Sequence, residues 1–123
     1  MKSTEKVLSA LEGRIISHSY RVPTAIVSCS DMVLTTEKKT TYEEFKTRLE
    51  QWATKNKYVG LNYEPRVSSD YKGEELSVVI DMQWLQVKNG LIKIVAWYDN
   101  EWGYSARALD LAEKISEKWQ TKK

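Results

Sequence analysis

An Asn89-Gly90 pair between two apolar segments is the feature of this sequence that most restricts its fold. Asparagine and glycine tolerate the positive φ angles of a two-residue type I′ turn, so the pair predicts a tight β-hairpin. In the strand before the turn, residues 77–87, one face consists of Val78, Ile80, Met82 and Trp84. The strand after the turn, residues 91–98, is apolar on both faces, which is typical of a central strand or of one covered by protein on both sides.

Two main helices are predicted. Thr41 and Glu44 have the spacing of a capping box, which marks the start of a helix over residues 41–54. Its apolar stripe consists of Tyr42, Phe45, Leu49 and Trp52. The other helix is expected from about residue 105 to 118, with a stripe of Ala108, Leu111, Ala112, Ile115 and Trp119. Both stripes have the spacing of a helical face that packs against other protein.

The rest of the chain completes an α+β pattern. Residues 3–11 predict a short helix that ends at Gly13. Alternating apolar and polar side chains predict a half-buried strand over residues 14–22, and further strands are expected at 26–35 and 58–62. This order indicates a single domain, residues 1–123, in which helices cover a mainly antiparallel sheet.

Composition excludes several function classes. The 123 residues include 19 Lys plus Arg and 17 Asp plus Glu, and this near balance gives no electrostatic case for binding nucleic acid. One cysteine and one histidine form no internal disulfide and are too few for a typical zinc site, so no metal is predicted. Neither a membrane span nor a signal peptide is visible. We expect a soluble intracellular protein, in the cytoplasm or an organelle matrix, with no membrane insertion.

The segment AWYDNEWGYS, at residues 96–105, resembles the C-terminal signature of phosphorylating glyceraldehyde-3-phosphate dehydrogenases. Further resemblance lies in RVPT at residues 21–24 and in VSSDYKG at residues 67–73. It extends over about residues 5–117 and implies the fold of the family's C-terminal catalytic domain. The cofactor of that family is NAD or NADP.

The resemblance also implies roles for four residues. Arg21 and Thr24 match the segment that binds a substrate phosphate, whereas the ordinary alternative is a surface arginine paired with a carboxylate. Asn100 matches the asparagine that holds the nicotinamide carboxamide, and Tyr104 matches an aromatic residue beside that ring. The alternative, which we prefer, is that Asp99, Asn100 and Ser105 shape a turn and cap the last helix.

Several parts of the family's catalytic machinery are missing from this sequence. No G-x-G-x-x-G motif is present, and neither is the family's nucleophilic cysteine motif or its activating histidine. A hairpin turned at Pro23-Thr24 would place His18 opposite Cys29, but a lone cysteine is usually a small buried hydrophobe. We therefore predict no catalytic residue and no cofactor for this chain alone.

The tryptophans and the last helix point to an interface. In the family this helix docks on the dinucleotide-binding domain, so without that domain its apolar stripe would be exposed. Large exposed apolar patches are unusual in monomers, and tryptophan is enriched at interfaces. The interface candidates are Leu111, Ile115, Trp119 and Trp84. For Trp84 and Trp97, the alternative is that their side chains simply fill the core.

These features favour a non-catalytic protein-interaction or assembly subunit, either in a larger complex or as a homo-oligomer. The alternative is a fragment of a split NAD(P)-dependent glyceraldehyde-3-phosphate dehydrogenase that needs a separate cofactor-domain chain. A third interpretation is a metabolite sensor that retains a phosphate or nucleotide site around Arg21 and Asn100.

Overall fold

The computed structural model describes residues 2–120. In chain order, the helices and strands are α1 (Lys2–Val7), β1 (Ser28–Thr35), α2 (Tyr42–Thr54), β2 (Val59–Asn62), β3 (Val78–Lys88), β4 (Leu91–Tyr98) and α3 (Asn100–Gln120). Short 3₁₀ turns lie at Ser9–Leu11 and Ser68–Tyr71. Among residues 2–120, no helix has the length and apolar character needed to cross a membrane.

The four strands form one mixed sheet in the order β1-β4-β3-β2. β4 pairs antiparallel with both β1 and β3, whereas β2 pairs parallel with β3. The sheet is thus mostly antiparallel and helices accompany it, which confirms the predicted α+β class. The central place of β4 is also confirmed, because it lies between two other strands.

The predicted hairpin is confirmed, but one residue near it is misplaced. Asn89 and Gly90 have φ angles of 53° and 80°, as a type I′ turn requires. Between Asp81 and Gln86 the pairing of β3 with β4 shifts register. The irregularity breaks the alternation of side chains, so Leu85 is buried while Trp84 is 54% exposed. The prediction that Trp84 shares the apolar face of Val78 is therefore wrong.

The core lies between α2 and one face of the sheet. Its buried residues are Leu49, Ile80, Met82, Leu85, Ile92 and Ile94. The predicted capping box starts α2: the Glu44 N–H donates to Thr41 Oγ1 at 3.2 Å, and the Thr41 N–H donates to Glu44 Oε2 at 3.0 Å. Only part of the predicted stripe on α2 enters the core, because Tyr42 and Trp52 at its ends are exposed.

The N-terminal part differs most from expectation. Residues 14–22 form no strand, and most of their side chains are exposed. Their alternating pattern describes a segment that could be half-buried in a sheet, but no strand within residues 2–120 pairs with it. The predicted helix over residues 3–11 is divided between α1 and the 3₁₀ turn at Ser9–Leu11. The last helix starts earlier than predicted, at Asn100, because Asp99 caps it.

Candidate functional site

The signature at residues 96–105 turns from β4 into α3 around one buried carboxylate. Asp99 is 1% exposed, and its Oδ1 accepts hydrogen bonds from the N–H groups of Glu101 at 3.1 Å and Trp102 at 3.2 Å. Its Oδ2 accepts a third from the Gly73 N–H at 2.9 Å. The three hydrogen bonds lower the pKa of Asp99 below its ordinary value, and the bond from Gly73 has the largest effect. Asp99 thus caps α3, and its hydrogen bond with Gly73 connects the segment at residues 67–73 to the start of this helix.

The two candidate nicotinamide contacts lie at the start of α3. Asn100 is the first residue of the helix and is exposed, and Tyr104 follows four residues later and is also exposed. Residues four apart lie on the same side of a helix, so the two side chains share one surface. Of the three residues predicted to shape the turn and cap the helix, Asp99 accepts the capping hydrogen bonds. Ser105 contributes within the helix, where its Oγ donates to the Glu101 carbonyl at 2.8 Å.

The two candidate phosphate contacts, Arg21 and Thr24, lie in the exposed segment before β1. Here the Thr24 N–H donates to the Val22 carbonyl at 2.8 Å, which forms a tight local turn. Within residues 2–120, no hydrogen bond or ion pair joins this segment to Asn100 or Tyr104. The structure therefore places the candidate residues in two separate pairs.

A cavity of about 310 Å³ lies beside the edge strand β2. Its walls consist of Gly60, Leu61, Asn62, Tyr63, Glu64, Arg66, Glu74, Leu76 and Val79. None of the four candidate contact residues lines it. In the described part of the chain, no three His, Cys, Asp or Glu side chains are grouped as ligands for a metal ion.

Trp97 belongs to a second buried cluster, on the sheet face away from the main core. Its indole Nε1–H donates to Asp81 Oδ2 at 3.1 Å, and its ring stacks on Tyr71 with centroids 5.5 Å apart. Asp81 and Tyr71 are both buried, and the Tyr71 hydroxyl has no hydrogen-bond partner among the described residues. Burial, reinforced by the Asp81 charge, raises the pKa of Tyr71. Of the two tryptophans considered for the core, Trp97 contributes to a buried cluster and Trp84 does not.

Cys29 has no histidine opposite it. It pairs with Trp97 in the sheet register and is exposed, while His18 lies in the unpaired segment with its ring edge-on to Tyr20, centroids 5.8 Å apart. Partial burial, followed by the charge of Asp31, raises the pKa of the Cys29 thiol. A raised pKa makes the reactive thiolate form scarcer, which makes Cys29 a poorer nucleophile.

Arg107 attaches the first half of α3 to the rest of the domain. Its guanidinium lies 4.2 Å from the Tyr58 ring centroid, and its Nε donates to Asp110 Oδ2 at 2.7 Å. Its Nη1 donates to Ser77 Oγ at 3.0 Å. The hydrogen bond from Arg107 Nε to the Asp110 carboxylate lowers the pKa of Asp110, and Lys57, whose Nζ lies 3.3 Å from Asp110 Oδ1, lowers it further. The contacts of Arg107 with Ser77 and Tyr58 join residues thirty or more positions apart, so the local sequence pattern does not predict them.

Beyond Asp110, every described residue of α3 is exposed. Among the described residues, the predicted stripe is therefore buried against no other element: Leu111 is 60%, Ile115 50% and Trp119 76% exposed. Trp84, the fourth interface candidate, is exposed on β3. Whether any of these residues binds a partner stays a prediction.

The family model and the similar proteins that this chain matches all belong to one family. Residues 1–100 match the family model described as glyceraldehyde 3-phosphate dehydrogenase, C-terminal domain. The chain is 43% identical to glyceraldehyde-3-phosphate dehydrogenase 2 of Trichormus variabilis, an alignment that covers 96% of this chain and 36% of the relative. It is 41% identical to the chloroplastic glyceraldehyde-3-phosphate dehydrogenase A of Chlamydomonas reinhardtii, over 96% of this chain and 32% of the relative.

A third relative, glyceraldehyde-3-phosphate dehydrogenase 2 of Staphylococcus aureus strain Mu50, is 39% identical over 93% of this chain and 33% of its own length. The chain thus spans about a third of the length of the curated relatives it matches. The mostly antiparallel α+β fold is in keeping with the matched family model. The chain belongs to the family of glyceraldehyde 3-phosphate dehydrogenase C-terminal domains.

Proposed function

We propose that this chain is a non-catalytic interaction or assembly domain that binds a protein partner, or another copy of itself, through the apolar stripe of α3. The observation that carries the proposal is the exposure of Leu111, Ile115 and Trp119 on one side of a single helix. Burial of apolar surface stabilises association by roughly 25 cal/mol per Å² before the costs of ordering are subtracted. Tryptophan supplies much of such energy at interfaces.

The first half of α3 supports this use because it is firmly attached. Asp99 caps the helix, and Arg107 connects it to Tyr58 and Ser77. Gly103 lies so close to residues 76–77 that an added Cβ would be 3.2 Å from the Leu76 carbonyl oxygen. The second half therefore extends from a fixed base. A rigid apolar surface loses little conformational entropy on binding, which favours affinity.

The proposal that the chain is non-catalytic is supported by the state of two side chains that could otherwise react, Asp99 and Cys29. The carboxylate of Asp99 accepts hydrogen bonds from three backbone N–H groups, and partial burial raises the pKa of the Cys29 thiol. Neither group is arranged as a nucleophile or a general base. The apolar surface of α3 is the more prominent feature.

Sedimentation of the purified chain tests the homo-oligomeric form of the proposal. Ile115→Glu and Trp119→Glu each place a charge in the stripe, whereas Gln120→Glu adds the same charge beside it. We expect the unsubstituted chain and Gln120→Glu to form an assembly of the same mass, and the other two variants to form a smaller one. An assembly whose mass neither substitution in the stripe changes would show that the interface lies elsewhere.

One observation favours a second candidate, half of a split dehydrogenase. The chain contains the whole signature segment, residues 96–105. Within it, Asn100 and Tyr104 share an exposed surface on α3. In this role Arg21 and Thr24 would contact a substrate phosphate, and a separate chain would supply the NAD(P)-binding domain and the nucleophile. A dehydrogenase assay with that domain added should give a rate that Asn100→Ala lowers. A rate no higher than that of the added domain alone would exclude this candidate.

A further inference from the structure

The strand β1 is an edge strand without the features that usually protect an edge. It lies at the end of the sheet, is paired on one side by β4, and has eight residues. Edges are commonly blocked by proline, lysine, bulges or short length. β1 contains neither proline nor lysine, and its pairing with β4 is unbroken from Ser28 to Thr35. Its single charge, Asp31, is paired with Lys93 at 3.0 Å.

The segment of residues 14–22, which precedes β1, has the character of a strand but no partner. Apolar and polar side chains alternate along it, no proline interrupts it, and Ile16, Tyr20 and Val22 are all strongly exposed. At about 3.3 Å per residue in an extended strand, its nine residues match the length of β1. The Arg14 N–H donates to the Leu11 carbonyl and the Val22 carbonyl accepts from the Thr24 N–H. Between these two ends, the backbone groups of the segment pair with no strand among the described residues.

The connection between the two segments is strained. Val27, immediately before β1, has a φ angle of 76°. A β-branched residue in this region is an outlier, because its side chain crowds the backbone there. Strained short connections favour the exchange of an element between identical chains, since the connection can relax when the element leaves.

We propose that two copies of this chain exchange residues 14–22, each copy adding them as a fifth strand along β1 of the other. The exchange satisfies the open edge of both sheets and buries the apolar side of the segment. It is reciprocal and closed, as a two-fold dimer requires. It uses a surface other than the α3 stripe and does not depend on it.

The test uses the whole chain and a matched pair of variants. Ser17→Pro with Ser19→Pro removes two backbone N–H donors from the segment, whereas Ser17→Ala with Ser19→Ala keeps them. Every chain also carries Trp119→Glu, so that association through the α3 stripe does not contribute. Sedimentation equilibrium over a wide concentration range should then give twice the chain mass of 14.3 kDa when Ser17 and Ser19 are unchanged or replaced by alanine, and the mass of one chain when they are replaced by proline. Circular dichroism reports whether the proline chain is folded, and Ile16→Asp provides a second variant with its backbone donors intact.

Amide hydrogen exchange distinguishes pairing between chains from pairing within one. We expect the amides of residues 14–22 to be protected at high protein concentration and to lose that protection on dilution. Protection in a monomer would mean that the segment pairs with its own β1, which overturns the proposal. A monomer at every concentration overturns it too, as does a dimer that the proline and Ile16→Asp variants leave intact.

Discussion

Asp99 Oδ2 accepts a hydrogen bond from the Gly73 N–H at 2.9 Å, although the two residues are 26 positions apart. The other oxygen of the same carboxylate caps α3. One buried group therefore connects two of the three segments through which this chain resembles its family. The relationship gives the signature a structural meaning: it fixes the direction in which α3 leaves the sheet.

Replacing Asp99 should loosen this junction. Asp99→Ala leaves three backbone donors without their acceptor, and lost caps or unsatisfied buried donors each cost about 1–3 kcal/mol. Asp99→Asn retains one acceptor oxygen and should cost less. Urea unfolding followed by circular dichroism measures both. Equal stability of the alanine variant and the unsubstituted chain would contradict the assigned role.

The same carboxylate predicts a dependence of stability on pH. Its pKa is lower in the folded chain than in the unfolded one, so its contribution is present above the unfolded pKa and is lost as pH falls through the folded pKa. Unfolding midpoints should therefore decrease on acidification below the ordinary range of an aspartate. Asp99→Asn should decrease less over the same pH interval. Identical pH profiles would rule out this contribution.

Trp97 should stabilise the second buried cluster in two ways, through the hydrogen bond of its indole N–H and through the apolar surface that its ring buries. Trp97→Phe keeps the ring against Tyr71 but removes the donor to Asp81, and we expect a loss of about 1–3 kcal/mol in the free energy of unfolding. A double-mutant cycle with Asp81→Asn measures the coupling between the two side chains. Additive losses would mean that the hydrogen bond contributes nothing of its own.

Arg107 should matter more than the neighbouring lysine. Arg107→Lys cannot reproduce the guanidinium contacts with Asp110, Ser77 and the Tyr58 ring, and we expect a loss of about 1 kcal/mol. Lys57→Met removes an exposed ion pair and should change stability little. Amide exchange in the first half of α3 should become faster in the arginine variant alone. The reverse order of effects would contradict the attachment described above.

Local signals predicted the parts of the fold that depend on neighbouring residues. The Asn89-Gly90 turn and the Thr41 capping box are encoded within a few positions, and both are present. The strand at residues 14–22 was predicted wrongly, because alternation shows what a segment can do in a sheet but not whether a partner strand is there. Trp84 was predicted to lie on the buried face of β3, but Leu85 is buried and Trp84 is exposed. The irregularity in β3 that causes this has no signature in the local sequence.

The candidate site likewise has parts that the sequence predicted and parts that it did not. The resemblance identified the signature at residues 96–105, and the spacing of apolar residues alone predicted the stripe on the last helix. The bond from Gly73 to Asp99 and the contacts of Arg107 join residues far apart in sequence, so periodicity could not predict them.

The central claim is that α3 presents an interface, and recovery of the native assembly tests it most directly. The tagged chain is expressed in its source cells as the unsubstituted form, as Ile115→Glu and as Gln120→Glu, and the mass and stoichiometry of each recovered complex are measured. We predict one defined complex, or a homo-oligomer, for the unsubstituted and Gln120→Glu chains and its loss for Ile115→Glu. Equal recovery with Ile115→Glu, or a lone monomer in every case, would contradict the claim.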